Sequence, residues 1–308
     1  MRILLSGATG LIGSAVYRSL IADHEVIRIG RTTGQYDVFF DIAAVSGTSF
    51  PACDALIHCA GVIDEDFRVA PMARLAALIV GADSLIRAAA DAGAGRAIYI
   101  SSSHVYGHQE GAINESCSAN PLSHYAIAHY CTEQLIKKAF SENGRPTLIL
   151  RPNAVYGPLS DFSRFKRWAL IPFSFPLEAW ANSRISLRSS GAQRRNFVSS
   201  ATIGSLISDW LLSATTKRLE IRHPIGKISE SVFEFANRCN RVASAMTGRK
   251  YLVIRPNAAP LATMPFEYKS LLPTLESDYA LDNHIKALLG LFTAHPAWAK
   301  EAALSLSA

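Results

Sequence analysis

Residues 1–13 read MRILLSGATGLIG, and their reading decides the fold. Ile3-Leu4-Leu5 is an apolar run of strand length, followed by Gly7, Gly10 and Gly13. From Ser14 to Ile21 the apolar residues recur at helical spacing. Strand, glycine turn and helix, in that order, are the context in which such glycines predict a dinucleotide site. Glycine lets the backbone approach a pyrophosphate, whose charge meets N–H groups at the helix N-terminus. A tight turn without a ligand is the plainer alternative. The motif's place on the first strand of an alternating chain speaks against it.

Outward from that stretch, strand and helix alternate. Strands are expected at Arg2–Ser6, Glu25–Ile29, Asp37–Phe40, Ala55–His58, Ala97–Ser101 and Thr147–Arg151, with helices at Ala70–Ala92 and Ser123–Glu142 between them. The strands are unbroken apolar runs, the pattern of a parallel sheet covered on both faces. After Gly157 the pattern turns irregular, and Pro158, Pro172 and Pro176 are read as breaks; Ser229–Met246 returns to helical spacing. The expected architecture is α/β: a Rossmann-type doubly wound parallel sheet in residues 1–158 plus about 191–215, and a smaller C-terminal α/β substrate lobe in 159–190 and 216–308.

Composition narrows the classes. At 308 residues with 49% hydrophobic content and no repeat, the chain reads as an ordinary globular protein. No apolar run has membrane-spanning length, and the apolar start is too short for a signal peptide, so a cytoplasmic location is expected. Cys53, Cys59, Cys117, Cys131 and Cys239 lack metal-site spacing and read as reduced thiols, with no metal expected. The charge of +6 is concentrated: Arg164, Lys166, Arg167, Arg184, Arg188, Arg194 and Arg195 face only Asp161 and Glu178 over that span. Such a cluster suits an anionic small molecule such as a diphosphate, or is a solvated basic face. Nucleic acid ranks below both, because no recognition motif accompanies the charge.

The end of the second strand distinguishes NAD from NADP. Selectivity for NAD usually places an acid there for the adenosine ribose. Here the strand runs into Gly30-Arg31, with no acid at its tip. Gly30 leaves room and Arg31 can pair with a 2′-phosphate, so NADP is the expected cofactor, with NAD possible. Asp41 and Ile42 would flank the adenine.

Further motifs follow in order: LIHCAG (Leu56–Gly61), ISSSHVYG (Ile100–Gly107), PLSHYAIAHYCTEQLI (Pro121–Ile136), LRPNAVYGP (Leu150–Pro158) and RRNFV (Arg194–Val198). With GATGLIG they make the chain resemble an extended short-chain dehydrogenase/reductase of the NAD-dependent epimerase/dehydratase group, whose members mostly act on nucleotide sugars. By that resemblance Gly7, Thr9, Gly10, Leu11, Ile12 and Gly13, with Cys59, Ala60, Gly61 and Pro152, surround the cofactor. The family's serine, three residues before Val-Tyr-Gly, falls on Ser102 and polarises the substrate oxygen. Its tyrosine falls on Tyr125 and transfers a proton while the nicotinamide moves a hydride. Ser103, His104, Asn153 and Arg195 fall on the substrate side, Arg195 at the family's diphosphate arginine.

One departure stands out. The family's lysine, four residues after the tyrosine, assists it with positive charge and holds the nicotinamide ribose; here the residue is His129. On a helix it shares the face of Tyr125. A neutral imidazole could hydrogen-bond the ribose without supplying that charge. Ser103-His104 replaces the Asp-Glu pair of the dehydratases, which argues against water elimination. An NADP(H)-dependent reductase of a nucleotide-linked sugar is therefore expected, with an epimerase holding its cofactor tightly, or a cofactor-binding regulatory protein with weakened chemistry, as alternatives. The family also forms dimers through the equivalents of the helices at 70–92 and 123–142, which implies a homodimer.

Overall fold

The apolar runs of the first half become strands buried on both faces. In the computed structural model, residues 1–31, 36–42, 49–61, 63–108, 110–213, 217–256, 266–273 and 280–305 are described. The first strand, β1 (Arg2–Ser6), points Ile3 and Leu5 to one face and Leu4 to the other. After it come α1 (Leu11–Leu20), β2 (Glu25–Gly30), β3 (Val38–Phe39), β4 (Ala55–His58), α2 (Pro71–Asp91) and β5 (Arg96–Ile100). Next are β6 (Gly111–Ile113), α3 (His124–Ala139), β7 (Thr147–Leu150), β8 (Ala154–Tyr156), α4 (Ile171–Asn182) and β9 (Arg184–Ser186). The remainder holds β10 (Arg194–Ser199), α5 (Ser200–Leu212), β11 (Leu219–Arg222), β12 (Ile228–Ser231), α6 (Val232–Thr247), β13 (Leu252–Ile254), β14 (Phe266–Tyr268), α7 (Leu281–Ala294) and α8 (Pro296–Ser305).

The main sheet has the order β11-β7-β5-β4-β1-β2-β3, with every pair parallel. Strand order reverses between β1 and β4, which puts a ligand crevice at their carboxyl ends. Val16 and Leu20 of α1, with Ile203, Leu206 and Trp210 of α5, cover one face. Leu85, Ile86 and Ala89 of α2, with Ile136 of α3, cover the other. Each fully buried Leu or Ile contributes about 1.5–3 kcal/mol, so this double coat is what holds the sheet. This is the Rossmann-type sheet expected from the sequence.

Beyond the sheet, several expectations change. Residues 219–222, assigned by pattern to the second lobe, form β11 and close the edge of the main sheet against β7. Ser229–Ser231 are strand rather than helix: Asn196 pairs with Ser229, and α6 begins only after Ser231. The start is fixed by a capping box in which Ser231 Oγ accepts the Glu234 N–H and Glu234 accepts the Ser231 N–H. The helix expected to reach Glu142 stops at Ala139, where the Asn143 side chain donates to the carbonyls of Lys138 and Ala139.

Pro172 and Pro176, read as breaks, both lie inside α4. Pro172 sits in the first turn, where no N–H is missed. Pro176 leaves the Pro172 carbonyl without its helical donor, and the buried His284 of α7 supplies one, Nε2 to oxygen at 3.1 Å. Around α4 the second lobe packs Phe175, Phe197 and Phe235 in one cluster, and Trp168, Phe173 and Phe292 in another.

Candidate active site

The glycine loop is shaped by backbone contact. Gly7 has φ +72°, and a Cβ on it would lie 2.6 Å from the Ala60 nitrogen. A Cβ on Gly13 would lie 2.0 Å from the Gly7 carbonyl oxygen, so α1 can start this close to β1 only with glycine there. Gly10 is the N-cap of α1, with no side-chain cap and no acid in the first turn, so Leu11, Ile12 and Gly13 present a bare helix N-terminus. Ser160 Oγ donates to the Thr9 carbonyl at 3.1 Å, and Thr9 Oγ1 is hydrogen-bonded to the Tyr36 hydroxyl at 2.7 Å. Ser6 Oγ joins the adjoining strand ends, accepting the Ala60 N–H at 3.2 Å and lying 2.7 Å from His58 Nδ1.

At the tip of β2, the room left by Gly30 is already taken. A Cβ there would lie 2.5 Å from Cζ of Tyr36, whose ring packs against the glycine. The expected open space is therefore an aromatic wall, held by the bond to Thr9. Arg31 beside it is exposed. Asp37, the next carboxylate, is committed to Arg28 through two ion-pair contacts and the backbone N–H, and Arg28 holds it below its usual range. Asp41 and Ile42 follow β3, and Ile42 borders a small cavity with Ala60, Gly61 and His129.

The reacting side chains come from β5, the 3-10 turn after it (Ser103–Tyr106), and α3. Three serines in a row have three different partners. Ser101 donates to the buried Glu133 at 2.5 Å, and Ser103 accepts from Asn153 Nδ2 at 2.8 Å. Ser102 caps the turn by accepting the His104 N–H at 3.2 Å, which leaves its own proton to give. Asn153 also accepts the Asn196 N–H at 3.0 Å, so its amide braces β10 as well as Ser103. The Pro152 carbonyl accepts the Ser103 N–H.

Ser123 caps α3, which sets Tyr125 and His129 one turn apart with ring centroids 4.6 Å from each other at 73°. His129 Nδ1 is hydrogen-bonded to the Tyr99 hydroxyl at 2.7 Å, while the buried Nε2 has no partner. His129 Cε1 lies 3.9 Å from the Cβ that Gly61 lacks. Burial, with the charge of Arg167 and nearby His104 and His58 adding to it, pushes the His129 pKa down to about 3. The imidazole is neutral.

Of the seven basic residues expected to cluster, two reach this site. Arg164 pairs with Asp161 and Arg194 with Glu234, while Lys166, Arg184 and Arg188 lie exposed. Arg167 places its guanidinium carbon 5.6 Å from the centroid of the Tyr125 ring. Arg195 is half-buried, its NH1 donating to the Arg194 carbonyl, and burial lowers its pKa, a cost that an anion would relieve. His104, whose ring edge lies 5.6 Å from Tyr125, is exposed in the cleft. Its pKa is nonetheless lowered, first by the protein around it and then by Arg195 and Arg167, against the opposing charge of Asp64. Asp64, Tyr36, His58 and Tyr99 were not singled out from sequence. For the last two the signal was their place in LIHCAG and in the strand before the serines. Ser199 caps α5 by accepting the Thr202 N–H.

The loop fits a dinucleotide, since bare helix N–H groups face an approach that only glycine leaves open, and the orphaned Nε2 of His129 lies where a ribose hydroxyl could satisfy it. Comparison agrees. The model of the NAD dependent epimerase/dehydratase family matches residues 3–203. The uncharacterized UDP-glucose epimerase YtcB of Bacillus subtilis is 26% identical over 182 residues, 51% of this chain and 58% of that protein. The chain spans between 20% and 58% of the length of the curated relatives it matches. Among solved structures, the UDP-glucuronic acid 4-epimerase of Bacillus cereus in complex with UDP-glucuronic acid and NAD is 19% identical, with a TM-score of 0.72 over 96% of this chain and 100% of that one. RMD of Pseudomonas aeruginosa complexed with NADPH is 17% identical, with a TM-score of 0.73 over 95% and 99%. At these identities the structures attest the fold.

Proposed function

The chain belongs to the NAD dependent epimerase/dehydratase family, and from that premise we propose that it is an NADP(H)-dependent oxidoreductase acting on a nucleotide-linked sugar. The observation that carries the reading is that Tyr125 packs on His129, whose Nε2 is unsatisfied, and on His104, whose N–H is capped by Ser102 with its own proton still available.

When bound, the nicotinamide would take up or deliver the hydride. Gly7, Thr9, Gly10 and the first turn of α1 would hold its pyrophosphate, and His129 Nε2 its ribose. Arg31 supports the NADP form, because it is exposed beside a strand tip that carries no acid. Ser102 donates to the sugar oxygen, and Tyr125 gives or takes that oxygen's proton as the carbon changes oxidation state. Arg195 meets the diphosphate. The outward Met72 and Val80 of α2 provide an apolar face for the homodimer that belongs to the same reading.

The first experiment is cofactor fluorescence, in which NADPH is expected to bind more tightly than NADH. Reduction of a keto-sugar nucleotide is then followed at the nicotinamide absorbance. Tyr125→Phe should lower turnover by about 10²–10⁴-fold. Unchanged turnover in that variant would remove Tyr125 from the chemistry. An epimerase is the second reading, favoured by the likeness to the Bacillus cereus enzyme. It predicts interconversion of UDP-glucuronic acid epimers without net change in the cofactor.

A further inference from the structure

We infer that Arg167 supplies, across the ring of Tyr125, the positive charge that the family draws from a lysine four residues after its tyrosine; this rests on the functional reading above. His129 occupies the lysine's position but cannot take its electrostatic part. It is buried against Tyr99, His58 and Gly61, and that burial holds its pKa down at about 3.

The titratable and charged groups facing Tyr125 come from its own helix, β5 and two loops, while α2 packs Leu75 and Leu78 beside it. From its own helix there is His129, 4.6 Å between ring centroids. From β5 comes Tyr99, hydrogen-bonded to His129, and from the turn after β5 comes the His104 ring at 5.6 Å, with Asp64 and Arg195 behind it. From the loop between β8 and α4 comes Arg167. Both histidines titrate below their usual value, whereas a guanidinium keeps its charge at any working pH.

Two further observations give Arg167 this task rather than that of a solvated surface group. Among the described residues it has no carboxylate partner, so its charge is not neutralised locally. Its arm is also anchored on both sides. Phe165 packs on Phe173 at 4.5 Å, and the buried Trp168 packs on Phe292 at 5.9 Å. The Leu170 N–H closes the turn onto the Arg167 carbonyl at 3.2 Å. Arg167 is thus a positioning residue that acts through the tyrosine, favouring the phenolate as the proton leaves.

The test needs no sugar. Protein labelled with 13C at tyrosine Cζ is titrated by NMR, with Tyr125 assigned through Tyr125→Phe. In Arg167→Gln, Tyr125 is expected to lose its proton about one pH unit higher than in the unaltered protein. Arg167→Lys should stay with the unaltered protein, and adding His129→Lys to Arg167→Gln should bring the titration back. Arg167→Met, which keeps the apolar stem, repeats the measurement should the glutamine variant fold poorly. Coincident titrations with and without the guanidinium overturn the inference. So does an Arg167→Gln enzyme in which only KM rises while the titration stays put, because that arginine grips an anion instead. Failure of the functional reading registers elsewhere, as undiminished turnover in Tyr125→Phe.

Discussion

His129 and His223 are both buried, both neutral, and each has a tyrosine hydroxyl 2.7 Å from one ring nitrogen. They differ at the other nitrogen. His223 Nδ1 donates to the Lys269 carbonyl at 2.8 Å, so its Nε2 accepts from Tyr106, whose oxygen in turn accepts from Arg151. Arg151 forms a two-bond ion pair with Glu133, at 2.6 and 2.9 Å, and its carbonyl accepts the Tyr268 hydroxyl. Every group in that chain is spent, and together they tie β14 to the main sheet. The chain through His129 ends on a buried Nε2 without a partner, beside the small cavity lined by Ala60 and Gly61. Residue type and burial are nearly the same in the two places, and an unsatisfied atom marks the one built for a ligand.

Breaking the satisfied chain should cost the most. Glu133→Ala strands the buried Arg151 charge and is expected to remove about 3–5 kcal/mol of stability, read from denaturant midpoints. A loss below 1 kcal/mol would mean that the pair is a bystander. His223→Leu should cost about 1–3 kcal/mol, because it orphans the Lys269 carbonyl and the Tyr106 hydroxyl. His129→Leu should cost less, since it leaves one group, the Tyr99 hydroxyl, without its partner, yet it should weaken NADPH binding, which His223→Leu leaves intact. Matching affinities in the two variants would erase the distinction between the sites.

The effect of pH is spread over several groups. His58, His223 and His284 are held by burial at about 4 and His129 at about 3, against about 6.5 in an unfolded chain. Each is neutral in the fold and takes up a proton on unfolding. Their stabilisation is therefore complete above about pH 6.5 and falls by up to about 1.4 kcal/mol per pH unit for each group as pH drops toward 4. Melting temperature should drop steeply across that window, and a flat profile would show that these rings charge without unfolding.

The sheet was legible because buried parallel strands must be apolar along their whole length, as in Ala55–His58 and Thr147–Leu150. The glycine loop was legible for a related reason, since three close backbone approaches leave few residue choices. Contacts between distant side chains left no such trace. Nothing periodic relates Arg167 to Tyr125, Tyr36 to Gly30, or His284 to the carbonyl freed by Pro176. The three-residue strands β6, β9 and β14 are too short for a pattern, and their pairing is set by the lobe that surrounds them.

The edge position of β11 bears on how the chain is made. The strand that covers β7 is encoded roughly 70 residues after it, and synthesis at about 5–20 residues per second leaves that interval open for about 4–14 s. Throughout it Thr147-Leu148-Ile149-Leu150, an apolar strand with one unpaired edge, is available to a neighbouring nascent chain. Aggregation during expression should therefore be governed by this one late pairing, and shielding the edge by a chaperone should matter more here than at any later step of lobe assembly.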